Sequence, residues 1–222
     1  MRSLFVAGTG TDIGKTHVAC ALIRAVLARG LSVDAFKPVV SGFDPADAEA
    51  SDPGRLAQAL GEPAALTRIS PRRYRAPLAP NLAARLEAET LRLEDLVADC
   101  EKRLARADRD LLLIEGAGGV MSPLTDTATN LDLMVALGLP ILLVAGSYLG
   151  TISHVLTALE VIRTRGLTVS GIVMSESQDA PDLAQTGQML RSFEASVPLI
   201  LVPRAPIWDA AELADLVLAS QS

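Results

Sequence analysis

Nine consecutive residues, GTGTDIGKT at 8–16, combine the residue types that hold polyphosphates: glycines that leave the backbone bare, then a lysine and a threonine. The backbone N–H groups of such a loop point inward at phosphate oxygens, and a helix opening near Gly14 adds the positive end of its dipole. Lys15 then reaches the β- and γ-phosphates while Thr16 offers its hydroxyl to Mg2+, which is the chemistry of a nucleoside-triphosphate site. The loop is one residue longer than the common GxxxxGK pattern, because Thr9 stands where the leading glycine is expected and Gly8 comes one place earlier. Asp12 is electrostatically out of place in a phosphate cradle and suits a position facing a cationic group or water.

Three further segments carry candidate chemistry. LLLIEGAGG at 111–119 ends a buried apolar run on Glu115, a carboxylate placed to be a Mg2+ ligand or a general base, with Gly116, Gly118 and Gly119 allowing close backbone approach. FKPVVSG at 36–42 ends another run on Lys37, at the edge where α/β sheets bind ligands; a lysine there either neutralises charge on transferred phosphoryl oxygens or is simply solvated. Ser41 and Asp52 are ambiguous, Asp52 being one of several loop acids with Asp44, Asp47 and Glu49. SYLGTISHV at 147–155 opens a helix near Thr151 whose first N–H groups could receive a carboxylate or phosphate, although capping by Thr151 and Ser153 explains the same residues, and His154 reads as a packed or capping side chain.

The elements that must position these residues recur regularly. Short apolar runs at 4–7, 32–36, 111–114, 141–145, 169–174 and 199–202 lack period-two alternation, as strands buried on both faces do. Amphipathic stretches at 15–29, 55–60, 93–107, 131–137, 151–165, 183–193 and 209–218 supply the crossovers of a doubly wound parallel α/β sheet. Gly30, Gly61, Gly138 and Gly166 follow such stretches where a left-handed helix end is wanted. The proline-rich stretch 41–84 reads as loop and short helix over one edge of the sheet.

Composition narrows the class. A chain of 222 residues with 50% apolar and 21% charged residues suits one large α/β domain. A net charge of −6 and 3% aromatics argue against nucleic acid, and the Arg72, Arg73, Arg75 cluster reads as a solvated loop. Cys20 and Cys100 show no metal or disulfide spacing and read as buried thiols in a reducing, cytoplasmic compartment; no apolar run suits a signal peptide or a membrane span.

Taken in order, GTGTDIGKT, FKPVVSG, PLAPNLAA at 77–84, EGAGGV followed by SPL, and YLGTISH resemble the dethiobiotin synthetase family over nearly the whole chain. The resemblance implies a P-loop NTPase-type, mostly parallel sheet of about seven strands and a homodimer with the substrate site shared across the interface. It implies ATP-dependent carboxylation and ring closure of 7,8-diaminononanoate with CO2, through a carbamate and a carbamic-phosphoric anhydride, to a cyclic urea. Lys37 and Lys15 would be catalytic, and Thr16, Asp52 and Glu115 would hold Mg2+. Asp12, Ile13, Gly14, Lys15, Thr16, His17, Asp52, Glu115, Gly116, Ala117, Gly118, Ser175, Glu176, Pro203, Arg204 and Ala205 would contact ATP. Thr11, Lys37 and Ser41 would contact the diamine or its carbamate, and Gly150, Thr151, Ile152 and Ser153 of the partner subunit its distal carboxylate. Ser175 and Ser153 stand where asparagine is common in the family, and Asn81 where histidine is common.

Other readings of a P-loop chain fit less well. A partitioning-type ATPase switch carries an extra lysine early in the phosphate loop, and residues 6–10 have none. A GTPase would carry NKxD, which is missing, and an amide-forming corrin synthetase would be longer.

Overall fold

The computed structural model describes residues 2–106, 108–205 and 208–219. In chain order these form β1 (Arg2–Gly8), α1 (Lys15–Leu27), β2 (Val33–Phe36), β3 (Val39–Ser41), α2 (Asp52–Ala59), α3 (Leu66–Ile69), β4 (Arg72–Tyr74), α4 (Pro80–Leu86), α5 (Leu93–Leu104), β5 (Leu111–Glu115), α6 (Asn130–Leu137), β6 (Ile141–Gly146), α7 (Thr151–Thr164), β7 (Val169–Ser175), α8 (Leu183–Phe193), β8 (Leu199–Val202) and α9 (Ala211–Ala219). Six strands make one sheet in the order β2-β5-β1-β6-β7-β8, with every neighbouring pair parallel. β1 therefore lies between β5 and β6, and the chain leaves its carboxyl end where the strand order reverses, the crevice in which open α/β sheets bind ligands.

Side chains alternate between two apolar layers although neither face meets water. Leu4 and Val6 of β1, Leu111 and Leu113 of β5, and Leu142 and Val144 of β6 pack on the side of α1, α2 and α9. Phe5 and Ala7, Leu112 and Ile114, and Leu143 and Ala145 pack on the side of α5, α6, α7 and α8. Burying one such Leu or Val contributes about 1.5–3 kcal/mol, so these strands are fixed by burial on both faces. Gly30, Gly61, Gly138 and Gly166 end their segments at φ 74°, 72°, 60° and 74°, as the sequence predicts.

The strand count, one region and several boundaries differ from the sequence reading. The main sheet has six strands rather than about seven, because the short β3 and β4 pair with each other in a separate parallel ribbon. Arg72 and Arg73 are accordingly not in a solvated loop: both lie in β4 and are half-buried, Arg72 paired with Asp99 and Arg73 donating to the Ser70 carbonyl. α2 starts three residues before the expected 55, since Ser51 accepts from the Gly54 N–H at 3.2 Å and Pro53 occupies a first-turn position where a missing N–H costs nothing. α5 stops at Leu104; the predicted end at Ala107 lies outside the described residues. Among the described residues no helix is long and apolar enough to cross a membrane.

Glu194 ties α7 to the start of β8. Its Oε2 lies 2.7 Å from Arg163, and its Oε1 accepts from the Ser196 N–H at 2.9 Å and the Ser196 hydroxyl at 2.5 Å. The Arg163 bond first, then Ser196, pull its carboxyl down to about 2 from 4.5. A depressed carboxyl stabilises the fold above its unfolded pKa and loses that contribution as pH falls through the folded one. Glu194→Gln is therefore expected to lower Tm by a few degrees at neutral pH, with the gap to wild type closing between pH 4.5 and 2 in thermal melts. A gap that does not change with pH would remove the carboxylate's charge as its cause.

Candidate functional site

The phosphate loop is shaped by close backbone approach. Gly14 caps α1 at φ 97° with no side-chain bond to the helix end, and no acidic residue follows in the first turn, so the dipole end is open. Asp12 sits at φ 56°, in the left-handed region. The second glycine-rich turn lies directly against the loop: the Val120 N–H donates to the Gly8 carbonyl at 2.9 Å, and a Cβ on Gly119 would come within 3.2 Å of the Thr9 carbonyl oxygen. Lys15 bends back over the loop, its Nζ donating to the Gly10 carbonyl at 2.9 Å. Burial, and then the neighbouring Lys37 ammonium, lower Lys15 to about 8.

Strand register brings the second lysine to the first acid. Phe36 pairs with Ile114 and Val6 with Glu115, so the next residue after β2, Lys37, stands beside Glu115, and both stand beside the strand that feeds the loop. Lys37 Nζ lies 2.6 Å from Glu115 Oε1 and 2.9 Å from Asp52 Oδ2, while the Thr16 hydroxyl donates to Glu115 Oε1 at 2.7 Å. Lys37 and Glu115 are 2% and 1% exposed, which rules out a solvated lysine. Burial alone would lower the Lys37 ammonium, but the Glu115 and Asp52 carboxylates outweigh it and hold it above the ordinary lysine range. Asp52 opens α2; burial would raise it, yet Lys37 and Thr16 keep it below the usual carboxylate range.

The residues at this point fit Mg2+. Glu115 Oε2 is buried without a hydrogen-bond partner, and the oxygens of Thr16, Asp52 and Glu115 are the hard donors that Mg2+ takes beside phosphate oxygens and water. Among the described residues no three His, Cys, Asp or Glu side chains gather into a metal site; a cation that also uses a hydroxyl and phosphates needs only the two carboxylates.

Three connected cavities surround the loop. The one against the loop, of about 340 Å³, is lined by Thr11, Asp12, Gly14, Lys15, Thr16 and His17, by Lys37, Ser41 and Asp52, and by Ala117 and Gly118. A second extends from Thr11, Ser41 and Asp52 toward 77–80 and Ser122. A third runs from Ile13, Gly14 and His17 to Ser175 and Glu176 after β7 and to Pro203, Arg204 and Ala205 after β8, where the Glu176 carboxylate accepts from the Arg204 N–H at 2.7 Å. Burial, then Arg24 and Arg55, lower the His17 imidazole. Gly116 lines none of the three; a Cβ there would meet the Phe5 ring at 3.0 Å, so its glycine serves packing.

The segment 150–153 is not brought to these cavities within one chain. Gly150 caps α7 at φ 96° with no side-chain cap, and the Thr151 hydroxyl turns back to the Gly146 carbonyl at 2.5 Å, so capping by Thr151 is not what its hydroxyl does. His154 accepts or donates to the Tyr148 hydroxyl at 2.8 Å on the surface. Cys20 and Cys100 are buried free thiols, both pushed up to about 12 by burial. Arg55, one turn beyond Asp52 on α2, lines all three cavities and was not foreseen; only its spacing of three from Asp52 could have signalled it.

Residues 2–208 match the model of a family described as AAA domain. The ATP-dependent dethiobiotin synthetase BioD of Caulobacter vibrioides is 68% identical over 219 residues, covering 99% of this chain and 100% of that protein. That of Phenylobacterium zucineum is 57% identical over 209 residues, covering 92% and 89%. Among solved structures, the MinC:MinD cell division protein complex of Aquifex aeolicus matches with a TM-score of 0.55 at 10% identity, over 98% of this chain and 86% of that one. Chloroplast FtsY from Physcomitrella patens matches with a TM-score of 0.51 at 18% identity; 97% of this chain is covered but only 64% of that one, less than two thirds of its length. At such identities the structural matches speak for the P-loop fold alone, whereas 68% identity over 219 residues, the full length of the Caulobacter protein, shows the family: the chain belongs to the ATP-dependent dethiobiotin synthetase family.

Proposed function

We propose that this chain closes 7,8-diaminononanoate and CO2 into the cyclic urea dethiobiotin at the expense of ATP, in biotin biosynthesis. The observation that carries the proposal is the Lys37 ammonium, buried at the carboxyl edge of the sheet 2.6 Å from Glu115 and in one cavity with Lys15 and Thr16. This lysine comes from outside the phosphate loop and puts a buried positive charge where a group transferred from ATP would be received. The protein acts as one P-loop α/β domain, in the cytoplasm, and as a homodimer in which Gly150, Thr151, Ile152 and Ser153 of each subunit receive the substrate carboxylate of the other; the uncapped start of α7 supports that role.

The chemistry distributes over this chain's own groups. One amine of the substrate adds to CO2 and loses a proton, giving a carbamate; Thr11 and Ser41 line the cavity beside Lys37 and hold it there. A carbamate oxygen then attacks the γ-phosphate, ADP leaves, and the second amine closes on the activated carbonyl with release of phosphate. Lys37 donates hydrogen bonds to the carbamate and to the phosphoryl oxygens as charge moves onto them, and Lys15 does the same for the β- and γ-phosphates. Thr16, Asp52 and Glu115 would hold Mg2+, which would supply further positive charge at the triphosphate. Ser175, Glu176 and the 203–205 turn receive the nucleoside end in the third cavity.

The direct test is ADP release from Mg-ATP and bicarbonate with and without the diamine, with the product's mass recorded. Diamine-dependent release with a cyclic urea formed is expected, and diamine-independent hydrolysis would overturn the reading. The pH dependence follows from Lys15. Lowered to about 8 before nucleotide binds, it is partly neutral between pH 8 and 10.5, and the phosphates draw its proton back. ATP affinity is expected to fall above pH 8, by up to about tenfold per pH unit for one linked proton, with proton uptake visible in calorimetry run in buffers of different ionisation heat. Binding at pH 9 without proton uptake would remove Lys15 as the titrating group.

A further inference from the structure

The first turn of α2 carries two charges on one face, three residues apart. Asp52 turns inward to Lys37, and Arg55 lies one turn farther out, exposed. Among the described residues only Asp12 and Arg55 line all three cavities, so Arg55 stands at the junction of the phosphate cavity, the substrate groove and the nucleoside cavity. A ligand that runs from Ser175 to Lys15 occupies two cavities that Arg55 lines, together with Asp12, Gly14 and His17.

Its guanidinium has no ion pair and no hydrogen bond among the described residues. Many other exposed or half-exposed arginines are paired: Arg29 with Asp215, Arg85 with Asp126, Arg163 with Glu194 and Arg165 with Asp132. Asp52, the nearest acid on its own helix, is already taken by Lys37. Among the charged residues that line the phosphate cavity, Arg55 joins Lys15 and Lys37 as a third cation, and unlike Lys37 it is not held by a carboxylate.

We propose that Arg55 is a third cationic ligand of the nucleotide's phosphate chain, reaching it from the exposed side of α2. A guanidinium suits this position because it presents parallel N–H groups to phosphate oxygens and carries a fixed charge. The inference rests on the reading of the loop as an ATP site and adds to it a residue outside the phosphate motif.

The test is binding of Mg-ATP, Mg-ADP and AMP to wild type, Arg55→Gln and Arg55→Lys, by calorimetry, at two KCl concentrations, with Tm recorded for each protein. Arg55→Gln is expected to weaken ATP about tenfold while AMP changes less than about twofold, with Tm unchanged. A loss confined to ATP assigns the contact to the γ-phosphate, and a loss shared by ADP assigns it nearer the base; both support the proposal. Arg55→Lys should recover part of the affinity, since it keeps the charge and loses the fork. It carries the test if the glutamine variant does not fold. Salt should weaken ATP binding more steeply in wild type than in Arg55→Gln. ATP affinity equal to wild type, or an equal loss for AMP and ATP, would overturn the role of Arg55. Failure of wild type itself to bind ATP would sink the parent reading with it.

Discussion

Lys37→Ala is expected to lose about a hundred- to a thousandfold in the kcat of diamine-dependent ADP release, with little change in the KM for ATP, because the lost donor acts where charge develops. It is also expected to be less stable. Lys37 is 2% exposed and its closest partner Glu115 1%, so truncation leaves a carboxylate in the core with the Thr16 hydroxyl as its remaining partner. Breaking a buried pair from one side costs about 3–5 kcal/mol, against a total stability of roughly 5–15 kcal/mol for a domain. The variant should therefore fold with Tm lower by roughly 10 °C. The two losses separate in Mg2+: a dication drawn to Glu115, Asp52 and Thr16 replaces the missing charge and should raise the variant's Tm more than wild type's, while leaving it inactive. Turnover within fivefold of wild type would take Lys37 out of the mechanism, and equal Mg2+ stabilisation of both proteins would take the metal away from Glu115.

This coupling of stability to chemistry is what the sequence alone could not supply. Apolar runs such as 4–7, 111–114 and 141–145 announce their strands because burial on both faces needs no polar alternation, and Gly30 or Gly138 announce helix ends because few other residues accept φ near 60–74°. The short ribbon is different. VVS at 39–41 and RRY at 72–74 contain too few residues to show a period, and two arginines in a row suggest a solvated loop until β4 is seen pairing with β3. The start of α2 is hidden in the same way, since Pro53 and Gly54 read as breakers while Pro53 occupies the one turn of a helix that tolerates it. In the site, Lys15, Thr16 and Glu115 are legible from motifs. That Lys37 touches Glu115 depends on the β2–β5 register across 78 residues, and Asp52 is separated from Asp44, Asp47 and Glu49 only by where α2 docks.

Glu115→Gln removes the charge with almost no change of shape, and its expected effects run in the opposite direction through the same cluster. The amide oxygen can still accept one bond, but Lys37 then keeps a buried ammonium with only Asp52 to balance it, and the Asp52 side chain is 42% exposed and contributes less. Burial dominates the lysine once its main counter-charge has gone, so less of Lys37 stays as the ammonium that donates to the carbamate and phosphoryl oxygens. Diamine-dependent turnover should fall at least about a hundredfold, and raised Mg2+ should recover only a part of it, because one of the cation's two carboxylates is also lost. The double variant Lys37→Met with Glu115→Gln decides whether the pair acts as a unit. If each single loss of stability comes from the charge left behind in the core, the double variant should be at least as stable as either single one in denaturant melts, while remaining inactive. Additive losses would mean that Lys37 and Glu115 are positioned independently, and that the 2.6 Å contact between them is not the interaction that ties the fold to the site.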